Sequence, residues 1–249
     1  MRDKDFEYLY NLEERFWWFV AMRAITDTIV GSELKGRRLR ILDAGCGTGY
    51  NIGHYESLGH SVFALDIAPE AISGVQQRGF QKVCQASVVE IPYTSGAFDF
   101  VFSFDVLSQV PVESGTEAIR EMYRVLRPGG FLFARVPAFE WLRSSHDEDL
   151  HTMHRYACNE LREKLKEAGF EVRLATYANT FLFPVVLLRR LLKHLGIGQG
   201  SDVKPLPTGL AWMDPVFRRI LGTEARVVGS GWRFPFGLSV ICYARKPSS

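Results

Sequence analysis

Apolar residues recur every three or four positions from residue 5 to 30: Phe6, Leu9, Leu12, Phe16, Phe19, Val20, Ile25 and Ile29, with charges between them. That period predicts a helix, and the stretch GSELKGRR breaks it. From residue 37 the pattern changes. Short apolar runs, RRLRILD, SVFALD, KVCQAS, FDFVFSF, FLFARVP and EVRLATYA, predict six strands. Between most of them stand helical stretches with their own stops: TGYNIGHYESLG ends on a glycine, APEAISGVQQRG has Pro69 at its start and Gly79 at its end, and SGTEAIREMYRVLRPGG closes on a proline and two glycines. NELREKLKEAGF is a further helix. Strands spaced by helices imply a parallel sheet covered on both faces. Residues 178–236 interrupt this rhythm with two apolar helices, FPVVLLRRLLKHLG and DPVFRRILG, around a Gly/Pro-rich loop. They read as an insertion packed over one end of the sheet before a last strand, GLSVICYARK. The organisation expected is an N-terminal helical lid (1–36), a core (37–177 and 237–249) and a helical cap (178–236).

Composition narrows this picture. A chain of 249 residues, 47% apolar and 23% charged, can bury one large α/β core. The net charge of +2, with no dense Lys/Arg block, argues against a nucleic-acid partner. Cys46, Cys84, Cys158 and Cys242 form no CxxC pair, so zinc and dithiol chemistry are not expected. The N-terminus lacks an apolar signal core and FLFPVVLL is too short to span a bilayer, so a cytoplasmic location is expected.

The chemistry concentrates in ILDAGCGTGYN, residues 41–51. A dinucleotide turn requires Gly-x-Gly-x-x-Gly. Here the glycines are Gly45, Gly47 and Gly49, position 50 is Tyr50, and Asp43 precedes the turn. An acid there opposes a pyrophosphate and suits a cation. S-adenosylmethionine carries an amino group and a sulfonium, and no phosphate. Asp66 ends the second strand, where an acid can accept from both ribose hydroxyls, as it also does in dinucleotide enzymes.

ILDAGCGTG, ALD, IPYTSGAFDFVFSFDVLSQV and EMYRVLRPGGFLFARVPA, in this order, resemble the signature segments of class I S-adenosylmethionine-dependent methyltransferases of the Rossmann-like, small-molecule type. The resemblance covers residues 38 to 177 and the last strand. It implies a seven-stranded, mostly parallel, doubly wound sheet of order 3-2-1-4-5-7-6 with the last strand antiparallel. It also implies residue roles. Asp43, Gly45, Cys46, Gly47 and Gly49 would hold the methionine moiety, Asp66 the ribose, and Ile67, Ser87 and Val88 the adenine. Phe104 and Asp105 would line the methionine pocket. Two positions depart from the pattern: Ser87 stands where an acid is frequent, and Gln109 where a histidine is.

Methyl transfer needs a positioned nucleophile and, for an acceptor that loses a proton, a base. VPAFEWLRSSHDEDLHTMHRYACNEL follows the fifth strand, at the edge where such sheets bind ligands, and holds half of the six histidines. A solvated polar loop is the bland reading of each residue singly. As a cluster, His146, His151, His154 and Tyr156 are the base candidates, with Asp147 and Arg155 beside them. A metal is not expected, because methyl transfer does not require one. EERFWWFVAMR near the N-terminus is either a helix packed on the sheet edge or a lid in which Trp17, Trp18, Phe19 and Arg23 close over the site. A cation–π contact to a sulfonium would favour the lid.

The function expected is methyl transfer from S-adenosylmethionine to oxygen or nitrogen, with carbon the lesser option, of a small-molecule acceptor. One alternative is a non-catalytic S-adenosylmethionine-binding regulator or partner subunit. Another is a lipid methyltransferase, since Arg189, Arg190, Lys193 and His194 beside FLFPVVLL form a basic amphipathic helix suited to peripheral membrane contact. A closing cap is the preferred reading of that insertion. No Asn/Asp-Pro-Pro-aromatic stretch supports base methylation.

Overall fold

The structure, a computed structural model, describes residues 13, 16–144, 147, 148, 150–194 and 214–248, with only the backbone for 189–194. The elements are α1 (Trp17–Leu34), β1 (Arg40–Ala44), α2 (Tyr50–Ser57), β2 (Ser61–Asp66), α3 (Pro69–Gln77), β3 (Val83–Gln85), β4 (Phe98–Phe104), α4 (Gly115–Val125), β5 (Leu126–Pro137), α5 (Cys158–Glu167), β6 (Glu171–Ala178), α6 (Phe183–His194), α7 (Asp214–Gly229) and β7 (Ser239–Arg245). One sheet has the order β3-β2-β1-β4-β5-β7-β6, with β7 antiparallel to both neighbours. The order and the reversed last strand are those expected.

Strands buried on both faces read as continuous apolar runs, and alternate residues divide between two cores. Ile41, Phe100, Phe102, Phe133 and Ile241 pack with α1, α2 and α7. Leu42, Val101, Leu132, Ala134 and Cys242 pack with α4 and α5. In the first core aromatic rings are layered: Phe102 stacks on Tyr55 at 4.5 Å and on Phe100 at 4.4 Å.

Two elements differ in position from the expectation. α1 is a full member of the helical layer: Met22, Ile25, Thr26, Val30 and Leu34 are buried along one face. The residues expected of a lid all lie in its first two turns. α7 lies beside α1 rather than over the end of the sheet. Its buried residues Phe217, Leu221, Ala225 and Val228 follow helical spacing and need an apolar partner, which α1 offers. The two helices approach so closely that a Cβ on Gly229 would stand 2.4 Å from Thr28 Cγ2. Glu224, fully buried on α7, accepts the Phe181 N–H at 3.1 Å, so α7 also ties down the turn after β6.

Candidate active site

β1, β4 and β5 bring their carboxyl ends to one edge. Asp43 is level with Phe102 on β4, and Phe104 pairs with Arg135 on β5. Ile41 and Asp43 alternate with Leu42, so Asp43 follows Ile41 on the face shared with α1 and α2. The turn to α2 then carries Gly45, Gly47 and Gly49 at φ of 88°, 52° and 78°. These left-handed values favour glycine. Gly45 has a second requirement: a Cβ there would stand 2.1 Å from Val106 Cγ2. A Cβ on Gly47 would meet nothing within 4 Å among the described residues, so the space over the turn is open.

An open cleft borders this turn. Gly45, Cys46 and Gly47 form one wall, Phe104, Asp105 and Arg135 another, and Phe19, Arg23 and Tyr50 a third. Two polar groups in this region are buried without hydrogen-bond partners among the described residues: both carboxylate oxygens of Asp43, which is 2% exposed, and the Tyr55 hydroxyl. Buried polar groups are ordinarily satisfied, so a ligand with donors fits this place. Burial first, then the charges of Asp66 and Glu13, push the Asp43 carboxyl from 3.8 up to about 8, while Arg135 acts in the opposite sense.

Asp66 has a different environment. Oδ2 accepts the Gly47 N–H at 2.9 Å and Oδ1 the Ala68 N–H at 3.0 Å. One backbone bond per oxygen orients the carboxylate and leaves lone pairs for a diol. Ile67, beside it, is exposed and offers an apolar surface to a base. Ser87 and Val88 are less available. The Ser87 hydroxyl accepts from Val89 N at 3.3 Å, and Val88 is buried in the α4/α5 core.

The aromatics at the start of α1 divide. Trp17 turns away and packs on Phe217 at 5.0 Å. Trp18 covers the Arg135 guanidinium, 4.9 Å from its ring centroid, so the cation on its face is supplied by the protein itself. Arg135 in turn donates from Nε and Nη2 to Asp105 Oδ2, at 3.0 and 2.5 Å. Asp105 holds this pose at φ 62°, with its own N–H donating to Arg135 O at 2.7 Å. Arg23 lies over the Tyr50 ring at 4.1 Å and donates to its hydroxyl. Glu13 accepts from the Thr48 hydroxyl across the glycine turn and faces Arg78 at 3.6 Å.

Arg135, Tyr50 and Glu13 were not singled out from the sequence. For Arg135 a signal existed: it is the one charge inside the apolar run FLFARVP, and a buried charge requires a partner.

The described part of the loop after β5 makes its own internal hydrogen bonds. Arg155 is buried and donates to Asp147 Oδ1 at 2.7 Å and to Ala138 O at 2.7 Å. Both members of this pair serve the loop's own structure, and their side chains are consumed by it. Tyr156 is also buried, and its hydroxyl donates to Leu107 O at 3.2 Å. Its ring packs in the α4/α5 core. His154 is half-buried, with Nε2 2.7 Å from Glu160 Oε1 and its ring edge-on to Tyr156. Its backbone N–H, like that of Met153, donates to Ser108 O and draws the loop toward the segment after β4. His151 is exposed at φ 53°. His146 lies outside the described residues.

Residues 42–134 match a family model described as a methyltransferase domain. The chain is 28% identical over 165 residues to the "Probable S-adenosylmethionine-dependent methyltransferase" of Mycolicibacterium smegmatis, covering 65% of this chain and 62% of that protein. It is 31% identical over 185 residues to a malonyl-[acyl-carrier protein] O-methyltransferase of Serratia marcescens, covering 67% and 66%. The chain thus spans slightly less than two thirds of the length of either relative. Among solved structures, a SAM-dependent methyltransferase from Archaeoglobus fulgidus shares the fold with a TM-score of 0.62 at 16% identity, over 96% of this chain and 100% of that one.

Proposed function

The chain belongs to the class I S-adenosylmethionine-dependent methyltransferases, and from this premise we propose that it moves a methyl group from that cofactor to an oxygen or nitrogen of a non-nucleic-acid acceptor. The observation that carries the proposal is the pair of acids flanking the glycine turn. Asp43 is buried with both oxygens unpartnered among the described residues, and Asp66 is oriented by two backbone N–H groups. The first suits the cationic amino-acid end and the second the ribose diol. S-adenosylmethionine, when bound, supplies a methyl group on a good leaving group.

What remains for the protein is to exclude water and manage a proton. Phe19, Arg23 and Tyr50 line one side of the cleft, and the Asp105–Arg135 pair, with Trp18 over the guanidinium, lines another. Among the loop histidines, His154 has the arrangement of a base: a ring nitrogen held by a carboxylate, as in other base–orienter pairs. His151 and His146 remain candidates for orienting the acceptor. Replacing His154 with asparagine is expected to lower turnover about a hundredfold. S-adenosylmethionine affinity should stay within about twofold of the parent, a split that marks loss of transition-state interactions. Steady-state kinetics beside calorimetric titration measure both. Equal loss in the two would assign His154 to the structure of the loop.

The overall proposal is tested by incubating the protein with S-adenosylmethionine and fractionated acceptor pools and following S-adenosylhomocysteine. Cofactor binding without product from any pool would favour the non-catalytic alternative.

A further inference from the structure

Beyond the cleft, the same edge of the sheet continues past β5, β7 and β6, and there the surface changes character. Three separate chain segments meet in ring contacts. Trp141, after β5, is 6.1 Å from Phe183 at the start of α6, and Phe183 is 5.3 Å from Phe236, just before β7. Phe181 lies 5.4 Å from Phe234. Much of this apolar surface faces outward: Trp141 is 62% exposed, Leu188 58%, Val185 55%, and Phe181 and Phe236 41% each. Apolar surface gathered in this way marks a contact site.

The acid beside Trp141, Glu140, is paired with Arg143, and the other charges in these segments of the sequence are basic. From residue 179 to 194 there is no Asp or Glu, while α6 carries Arg189, Arg190 and Lys193, with His194 at its end. In the loop before β7, Arg233 stands between Trp232 and Phe234, and Trp232 is itself exposed. Exposed aromatics beside basic residues are the composition of an interfacial surface. Among the described residues no helix is long and apolar enough to cross a membrane, so such a contact would be peripheral.

We propose that this ridge docks the protein on an anionic lipid bilayer, and that the methyl acceptor is an amphiphile of that bilayer. The proposal rests on the methyltransferase reading above. Its geometric basis is continuity: Arg135 lines the cleft, and four residues later in the chain Phe139 lies 5.7 Å from Trp141 on the ridge. The polar head of an amphiphile would reach the cleft while its chain stayed in the bilayer.

The test is co-sedimentation of the full chain with vesicles of phosphatidylcholine alone and of phosphatidylcholine with about one third phosphatidylglycerol. Most of the protein is expected to pellet with the anionic vesicles, little with the neutral ones, and high salt should release it. The Trp141→Ala/Phe236→Ala variant should partition about tenfold less, from the apolar area lost, and the Arg189→Glu/Arg190→Glu variant should lose the preference for anionic vesicles. Calorimetric titration with S-adenosylmethionine accompanies each protein and shows that the variants are folded. Absence of pelleting, equal binding to both vesicle types, or parental binding by both variants would overturn the proposal. Uptake by an acidic carrier protein in place of vesicles would also overturn it. A parent that pellets but binds no cofactor would instead overturn the methyltransferase reading, so the two failures are distinct.

Discussion

Replacing Asp66 with alanine is expected to weaken S-adenosylmethionine binding a hundredfold or more, because two charge-assisted hydrogen bonds to the ribose are lost, each about 1.5–3 kcal/mol. The effect has a second source. The Gly47 and Ala68 N–H groups lose their acceptor, and the Gly47 bond pins the glycine turn against the end of β2. Asp66→Asn separates the two. Its amide oxygen can still accept from one backbone group, but the charge that strengthens both ribose bonds is gone, so affinity should fall by an intermediate factor. Isothermal titration with S-adenosylmethionine and with S-adenosylhomocysteine reads these losses. An unchanged dissociation constant for the alanine variant would remove the ribose from this end of the sheet.

Asp43 should make cofactor binding pH-dependent. In the cofactor-free protein its carboxyl is raised to about 8 by burial and by the charges of Asp66 and Glu13. At pH 7 it is therefore mostly protonated. A bound cation favours the ionised form, so binding below pH 8 releases a proton. Affinity should climb as pH rises toward 8, by up to about tenfold per unit, and level off above it. Titration in buffers of different ionisation enthalpy counts the proton directly. Asp43→Asn should flatten the profile and hold the cofactor weakly at every pH. Identical heats in all buffers would contradict this account.

The same group has a linkage consequence for stability. Its folded-state value lies above the ordinary 3.8, so the folded chain binds more protons than the unfolded chain between pH 4 and 8. Stability contributed by Asp43 is therefore present at low pH and falls as pH rises through 8. Urea unfolding of the cofactor-free protein at pH 5 and pH 9 should show the asparagine variant gaining on the parent at the higher pH. Parallel behaviour at the two values would mean that Asp43 finds a partner in the absence of cofactor.

Much of the fold was legible because its signals are local. The apolar runs at 98–104 and 131–137 are strands because buried parallel strands need no polar face. Tyr50–Ser57 and Pro69–Gln77 are helices bounded by glycine and proline, as their sequences indicate. The candidate cofactor site was legible for the same reason: Asp43, Gly45, Gly47 and Asp66 are fixed by strand ends and by a turn whose dihedrals only glycine adopts cheaply. The acceptor side was much less so. A run of His, Asp, Arg and Tyr in one loop has the same composition whether it faces a cleft or fastens the loop. Asp147 and Arg155 meet each other, and Tyr156 enters the core, because a buried charge requires a partner and a large ring is best placed where it excludes water.

The succession of strands and helices, the glycine turn and the two acids beside it follow from backbone conformation or from periodicity within a few residues, so they can be read along the chain. Long-range packing sets Trp18 against Arg135 rather than an open cleft, places α7 beside α1, and gathers aromatic residues from three distant segments into one exposed ridge. Those outcomes depend on which side chains compete for the same buried space and the same counter-charge, and such competition is settled between residues far apart in the chain.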